Sequence, residues 1–99
     1  MTINTYDIGD RVILSAAFEV ADVATDPTAT SFVVRPAGGQ AVTYTLGSDD
    51  RVERDSAGVF TCWVEPDRHG DWHWAAVGTG PAKGAEERIF RVREPKARR

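Results

Sequence analysis

The chain has 99 residues, which is enough for one domain built around a single hydrophobic core. Hydrophobic residues make up 41% and charged residues 27%, a balance that is typical of a soluble globular protein and argues against disorder. The formal net charge of −3 disfavours nucleic acid and anionic membranes as partners, because both attract basic surfaces.

The cysteine content and the first residues bear on the cellular compartment. Cys62 is the single cysteine, so an intramolecular disulfide is excluded and stability must come from packing and strand pairing. The first six residues are largely polar, and Gly9-Asp10 separates them from the apolar run at 12–14, so no segment has the length of a signal sequence or a membrane span. We expect a protein that is made and kept, or assembled, in the cytosol.

The first third of the chain predicts an edge segment followed by the longest strand. Residues 6–10 end in Gly-Asp, which is turn chemistry. In residues 11–20 apolar and polar side chains alternate, as in a half-buried strand. The side chains expected to face the core are Val12, Leu14, Ala16, Phe18 and Val20. Residues 21–27 carry two Asp and a Pro, which favour a loop or a brief helical turn.

A hairpin and a short edge strand come next. Residues 30–35 are rich in β-branched and aromatic side chains and stop at Pro-Ala-Gly-Gly, after which residues 41–46 return antiparallel. Residues 51–55 are short and charged, as a protected edge strand tends to be.

Two aromatic-rich runs, hinged at a Pro/Asp/Gly turn, form the predicted centre of the core. Alternation places three side chains of each run on one face: Phe60, Cys62 and Val64 in the first, and Trp72, Trp74 and Ala76 in the second. Residues 78–84 are rich in Gly and Pro and should form an exposed loop. Residues 86–93 give the last strand, with Phe90 and Val92 inward, and residues 94–99 should be a flexible basic tail.

These elements predict an all-β protein: an immunoglobulin-like, two-sheet antiparallel β-sandwich of about seven strands without a disulfide, in a single domain over residues 1–93. By Greek-key connection rules, residues 12–20 should lie beside residues 59–64. Residues 32–35 should lie beside residues 72–77, with residues 89–92 in the same sheet.

The order of motifs resembles immunoglobulin-like modules. The opening residues 7–12, the Asp-Ser-Ala-Gly-Val-Phe step at 55–60 and the Gly-Asp-Trp entry at 70–72 are similar to bacterial and macroglobulin-type Ig-like domains. Residues 27–30 and 72–80 also resemble small Ig-like structural proteins of tailed phages. The resemblance implies a non-enzymatic module and transfers no catalytic residue. The chain departs from antibody-type domains in having no cysteine pair.

Several residues are candidate carriers of chemistry. His69, Asp71 and His73 are spaced by two and would project from one face of a regular strand, a donor set that suits zinc or copper, but turn and surface positions explain them better. Cys62 points into the core, where a thiol is no nucleophile. Asp49, Asp50 and Asp55 lack the spacing of a calcium loop. We expect no enzyme activity, metal or cofactor.

The outward faces of the strands carry the candidate partner-binding residues. These are Trp63, Ile13, Ala17, Val33 and Val77, together with Ala75 and Ile89. Trp63 near Ile13 and Ala17 on one sheet would form an apolar patch with an aromatic anchor. Alternatively, Trp63 is covered by the N-terminal segment or by a loop of its own chain.

The resemblance gives the expected function. It is that of a virion structural protein of a tailed phage or prophage, as a capsid-associated decoration or a head–tail component, assembled in the bacterial host cytoplasm. Its partners would be other virion proteins and possibly further copies of itself, held through many repeated contacts. The rival interpretations are a cellular Ig-like adhesion or ligand-binding module, such as one binding carbohydrate through Trp63, and a metal carrier using His69 and His73.

Overall fold

The computed structural model describes residues 4–94 and contains β-strands but no helix over that range, which confirms the all-β prediction. The strands in chain order are β1 (Thr5–Tyr6), β2 (Val12–Ala17), β3 (Glu19–Val20), β4 (Val23–Ala24), β5 (Thr30–Arg35), β6 (Val42–Thr45), β7 (Val52–Ser56), β8 (Val59–Val64), β9 (Gly70–Gly78) and β10 (Gly84–Val92). None of the described segments therefore supplies a helix of the length and hydropathy needed to cross a bilayer.

The strands form two larger sheets and one small hairpin. The first sheet has the order β1-β10-β9-β5-β6 and the second the order β2-β8-β7, while β3 pairs with β4 alone. All pairs are antiparallel except β1 with β10, which is parallel. The pairing of β2 with β8, the β5–β6 hairpin, and the placement of β5 and β10 on either side of β9 all agree with the sequence predictions.

One core lies between the two larger sheets, as in a β-sandwich. The inward side chains of β8 and β9 are buried at alternate positions, as the alternation of the sequence predicted. They belong to a single cluster with the inward side chains of β2, β5 and β10. Each large apolar side chain that is buried contributes about 1.5–3 kcal/mol relative to its exposed state, so this shared layer is what holds the sheets together.

The predicted long strand over residues 11–20 is confirmed as far as Ala17, and Phe18 is buried as expected, but the prediction of one continuous strand to Val20 is wrong. The amide of Phe18 still donates to the carbonyl of Gly58 (2.7 Å), but β8 begins at Val59, so the residues after Phe18 no longer pair with β8. The chain instead turns through Ala21 and Asp22, which have φ of 50° and 66°, as in a type I′ hairpin. Val20, which was expected in the core, is 40% exposed as a result. The expected loop or helical turn at residues 21–27 is therefore partly strand.

The end of the predicted loop at residues 78–84 also differs. The strands β9 and β10 extend to Gly78 and from Gly84, so the loop is shorter than expected. Ala82 in this loop is buried and belongs to the core cluster, because the loop folds back over the sandwich end near Phe18. Of the predicted basic tail, Glu94 is exposed and residues 95–99 lie outside the described residues.

Candidate interaction surface

The strongest candidate surface lies on the outer face of the three-stranded sheet. Trp63 has outward parity on β8 and is directly opposite Ile13 on β2. Directly opposite residues of an antiparallel pair lie on the same face, so the two side chains are neighbours. Ile13 is 57% exposed, and Trp63 is less exposed than Ile13, being half-buried. We call these two residues the Ile13–Trp63 pair.

Two arginines of the chain itself partly cover the indole. The guanidinium carbon of Arg11 lies 4.1 Å from the centroid of the Trp63 ring, and that of Arg51 lies 4.8 Å away. The two cations have carboxylate partners: Glu65 for Arg11 at 3.8 Å and Asp49 for Arg51 at 3.3 Å. Cation–π contacts at such exposed sites contribute about 0.5–1 kcal/mol each. Trp63 therefore has its own intramolecular partners, in addition to the exposed neighbour Ile13.

The predicted patch is less continuous than expected. Ala17 is exposed and pairs with Val59, but Ser15 and Thr61 form a polar row between that pair and the Ile13–Trp63 pair. The outer face therefore has two separate apolar areas. One is the Ile13–Trp63 pair, which the two arginines border, and the other is formed by Ala17 and Val59.

Val33 and Val77 lie on the opposite side of the molecule, on the outer face of the five-stranded sheet. Val33 is opposite Ala75, and Val77 is opposite Ser31, so the two valines are diagonal neighbours. Both are half-buried. The small side chain of Ala75 leaves a shallow depression of about 210 Å³, bordered by Val33 and His73. The five residues chosen from the sequence therefore divide between two separate faces.

The three weak metal candidates do not converge. His69 lies before β9 with its Nε2 atom 3.9 Å from Glu94, while His73 on β9 has its Nδ1 atom 3.2 Å from Glu87. Asp71 accepts a 2.9 Å hydrogen bond from Nε of Arg91. Among the side chains that the structure describes, which exclude those of residues 85 and 86, no three His, Cys, Asp or Glu residues are close enough to hold a metal ion together.

The Asp71–Arg91 pair has a clear electrostatic signature. The hydrogen bond from Arg91 lowers the pKa of the Asp71 carboxyl, and the positive charge of Arg91 and the nearby His73 act in the same direction. The same bond raises the pKa of Arg91. Both groups are exposed, so the pair is a surface ion pair, which solvent and salt screen.

Cys62 lies in the core, as its parity predicted. Burial, followed by the negative charge of Asp49, raises the pKa of its thiol to about 11, so the neutral form dominates at physiological pH. A buried neutral thiol is a poor nucleophile. Asp49 itself is used locally: its Oδ1 atom accepts from the amide of Arg51 at 2.9 Å.

Sequence reasoning did not identify the two arginines around Trp63. The available signal was that Arg11 and Arg51 each come immediately before a strand that flanks β8, at positions whose side chains point outward.

Sequence reasoning also missed the carboxylate of Asp26, which bridges two segments of the chain. Its two oxygens accept from the amide of Gly58 at 2.7 Å and from Nε of Arg54 at 2.9 Å, which ties the segment after β4 to the β7–β8 turn.

Comparisons with known proteins give a likeness of fold. No family model and no curated protein sequence matches the chain. Among solved structures, a candidate glycoside hydrolase from Bacteroides vulgatus ATCC 8482 is similar, with a TM-score of 0.63 and 17% sequence identity. The match covers 94% of this chain but only 17% of that protein. At this identity the likeness concerns the fold alone, and the chain corresponds to a small part of the larger protein.

Proposed function

We propose that the chain is a non-enzymatic Ig-like module that works through protein–protein contacts of its outer surfaces. The sheet order supports the Ig-like assignment. In an Ig-like sandwich, strands B, E and D share one sheet and strands G, F and C the other. Here β2, β8 and β7 take the first set of positions, and β10, β9 and β5 the second, with β6 extending the second sheet as strand C′ does.

The observation that carries the contact function is the exposed Ile13 beside Trp63. An isoleucine that is 57% exposed on a regular strand leaves apolar area in contact with water. Single exposed apolar residues are normal, but this one adjoins an aromatic ring that is bordered by Arg11 and Arg51. Interfaces are enriched in Trp and Arg, which combine apolar area with directional bonding. The Ile13–Trp63 pair is therefore the best docking point on the chain.

We assign the setting from the motif resemblance to Ig-like structural proteins of tailed phages. The module would be present in many copies on the virion, at the capsid or the head–tail region, after assembly in the bacterial host cytoplasm. A single small contact gives weak binding, whereas many repeated contacts on one particle give strong retention through high effective concentration. Other virion proteins are the proposed partners.

A comparison of two Asp substitutions tests this function. Ile13→Asp places a charge in the proposed contact, and Val23→Asp places the same charge at a residue that is 63% exposed on the distant β3–β4 hairpin. Both positions are exposed, so both variants should fold. Tagged proteins are added to particles induced from the organism that encodes the chain, and bound copies are counted after sedimentation. We expect wild type and Val23→Asp to be retained and Ile13→Asp to be lost.

Two results would count against the proposal. If no form of the protein sediments with particles, the virion setting is wrong. If Ile13→Asp is retained as well as Val23→Asp, the Ile13–Trp63 pair is not the contact.

The second candidate is a carbohydrate-binding module, since the similar solved structure is a part of a candidate glycoside hydrolase. Sugar binding would require an open aromatic face, and in this chain Trp63 has the guanidinium groups of Arg11 and Arg51 over it. Titration with a panel of oligosaccharides, followed by tryptophan fluorescence, distinguishes the two functions. A saturable change that Trp63→Ala removes would favour the carbohydrate module.

A further inference from the structure

The strand β2 has one side open. Within residues 4–94 it pairs with β8 and with no other strand. The amide of Phe18 donates to the carbonyl of Gly58, which continues the β2–β8 register by one residue before the start of β8. Backbone groups of an antiparallel strand alternate between its two sides. The N–H and C=O groups of Ile13, Ser15 and Ala17 therefore point away from β8, and all three residues are exposed.

This edge lacks the features that normally prevent strand pairing. The segment Val12–Ala17 reads VILSAA, with no charge, no proline and no bulge. The opposite edge strand of the same sheet, β7, reads VERDS and has a bulge between Arg54 and Ser56. Charges and bulges protect an edge, whereas an uncharged apolar edge is a template for another strand. An open groove of about 250 Å³ runs beside β2, and its walls combine apolar side chains, such as Ala16, Trp74 and Ala76, with the charged side chains of Glu19, Lys83 and Arg88.

We propose that two copies of the chain associate through β2, antiparallel and about a twofold axis at Ser15. The outward backbone groups fix the register. Ser15 would pair with Ser15 of the second copy, and Ile13 with Ala17 of the second copy, each pair exchanging two hydrogen bonds. The result is a continuous six-strand sheet of the order β7-β8-β2-β2-β8-β7.

The side chains fit this register and favour a second copy as the occupant. On the outer face, the large Ile13 lies against the small Ala17 of the other copy, and the two Ser15 side chains meet on the axis. On the inner face, Leu14 lies against Ala16. Just beyond the ends of the strand, Arg11 comes opposite Glu19 of the other copy, twice by symmetry, and both side chains are exposed. Opposite charges at both ends of an uncharged segment make the edge complementary to itself.

The dimer does not depend on the proposed virion partner, because it is held mainly by hydrogen bonds between the backbones of two β2 strands. A dimer would present the Ile13–Trp63 pair twice on one continuous face and so would double the valency of each bound unit.

A pair of proline variants tests the edge. Ser15→Pro removes an outward N–H without removing a bond to β8, so the monomer should keep its fold. Thr43→Pro is the matched control, because it places proline on the edge strand β6. The amide of Leu46 donates to the carbonyl of Thr30 on β5. Since backbone groups alternate along the strand, the N–H of Thr43 points away from β5. Sedimentation equilibrium should show a concentration-dependent dimer for wild type and Thr43→Pro. Loss of the two Ser15 bonds should weaken dimerisation about ten- to hundredfold in Ser15→Pro.

Cysteine cross-linking tests the register. Hydrogen-bonded antiparallel pairs have Cα atoms about 5.5 Å apart, within the range of a disulfide. Ser15→Cys should therefore form a cross-linked dimer on mild oxidation. Ile13→Cys alone should not, since its copies would be four residues out of register, but a mixture of Ile13→Cys and Ala17→Cys should. The native Cys62 is buried and does not compete.

Three outcomes would overturn the proposal: a monomer at all concentrations, an equal dimer in Ser15→Pro and wild type, or cross-linking of Ile13→Cys with itself in place of Ser15→Cys. Retention of folded, monomeric Ser15→Pro on virions would show that the edge and the docking contact act separately.

Discussion

Two tryptophans, one on an inner face of the sandwich and one on an outer face, give the sharpest test of the fold. Trp74 is 8% exposed and stacks on Phe32, with ring centroids 5.9 Å apart, between the two sheets. Trp63 lies on the outer face and is half-buried beneath arginines. The same substitution to alanine should therefore have very different costs at the two positions.

The magnitudes depend on the contacts of each ring. Truncating a buried Trp to Ala costs about 3–5 kcal/mol, from lost transfer free energy and the cavity left behind. At Trp63 the loss comprises two exposed cation–π contacts, about 1–2 kcal/mol together, and part of the ring's burial, but truncation at the surface leaves no internal cavity. A domain of this size has about 5–15 kcal/mol of total stability, so Trp74→Ala should remove a large share of it.

Equilibrium unfolding in urea, followed by far-ultraviolet circular dichroism, measures both changes without depending on tryptophan fluorescence. The slope m should stay constant while the midpoint falls much further for Trp74→Ala than for Trp63→Ala. If Trp74→Ala does not fold, Trp74→Phe keeps an aromatic ring against Phe32 and gives a smaller, measurable loss. Equal losses at Trp74 and Trp63 would show that the assignment of inner and outer faces is wrong.

Three further predictions concern the turn before β8 and the core thiol. Gly58 has a φ of 72°, and a Cβ there would lie 2.5 Å from the carbonyl oxygen of Phe18 and 2.9 Å from the amide nitrogen of Thr25. Backbone strain and crowding in Gly58→Ala should therefore cost about 2 kcal/mol and lower the melting temperature by several degrees. An unchanged melting temperature would contradict this. The hydrogen bond from Gly58 lowers the pKa of Asp26, so its stabilisation is present above the ordinary carboxyl pKa of 3.8 and is lost as pH falls through the lowered value. The difference in unfolding free energy between wild type and Asp26→Asn should shrink on acidification, and a constant difference would refute the linkage. Because the pKa of Cys62 is raised to about 11, alkylation by iodoacetamide should be slow in the native protein and fast in urea, whereas fast native labelling would show that the thiol is accessible.

Local patterns of the sequence were sufficient for most of the longer strands and for the faces of β8 and β9. Alternation with a period of two is a property of each extended segment by itself, so the burial of Phe60, Cys62, Trp72 and Trp74 could be predicted without knowing their neighbours. The β5–β6 hairpin was equally accessible, because its turn residues lie between the two strands in the chain.

The parts that could not be predicted depend on segments distant in sequence. The strand β2 ends at Ala17 because its partner β8 begins at Val59, directly opposite Ala17, which is a fact about another segment of the chain. The cover of Trp63 comes in part from Arg11, immediately before β2, through a contact that forms only once β2 pairs with β8.

The sequence by itself determined that the chain is all-β and which side of each strand is apolar, because the pleat of the backbone turns residue order directly into two faces. Only the tertiary structure decided which faces meet, which strand is left with an open edge, and which exposed residues share a surface. Strand pairing joins residues far apart in the chain, so Ile13 came to lie beside Trp63 while Val33 and Val77 were carried to the opposite side of the molecule.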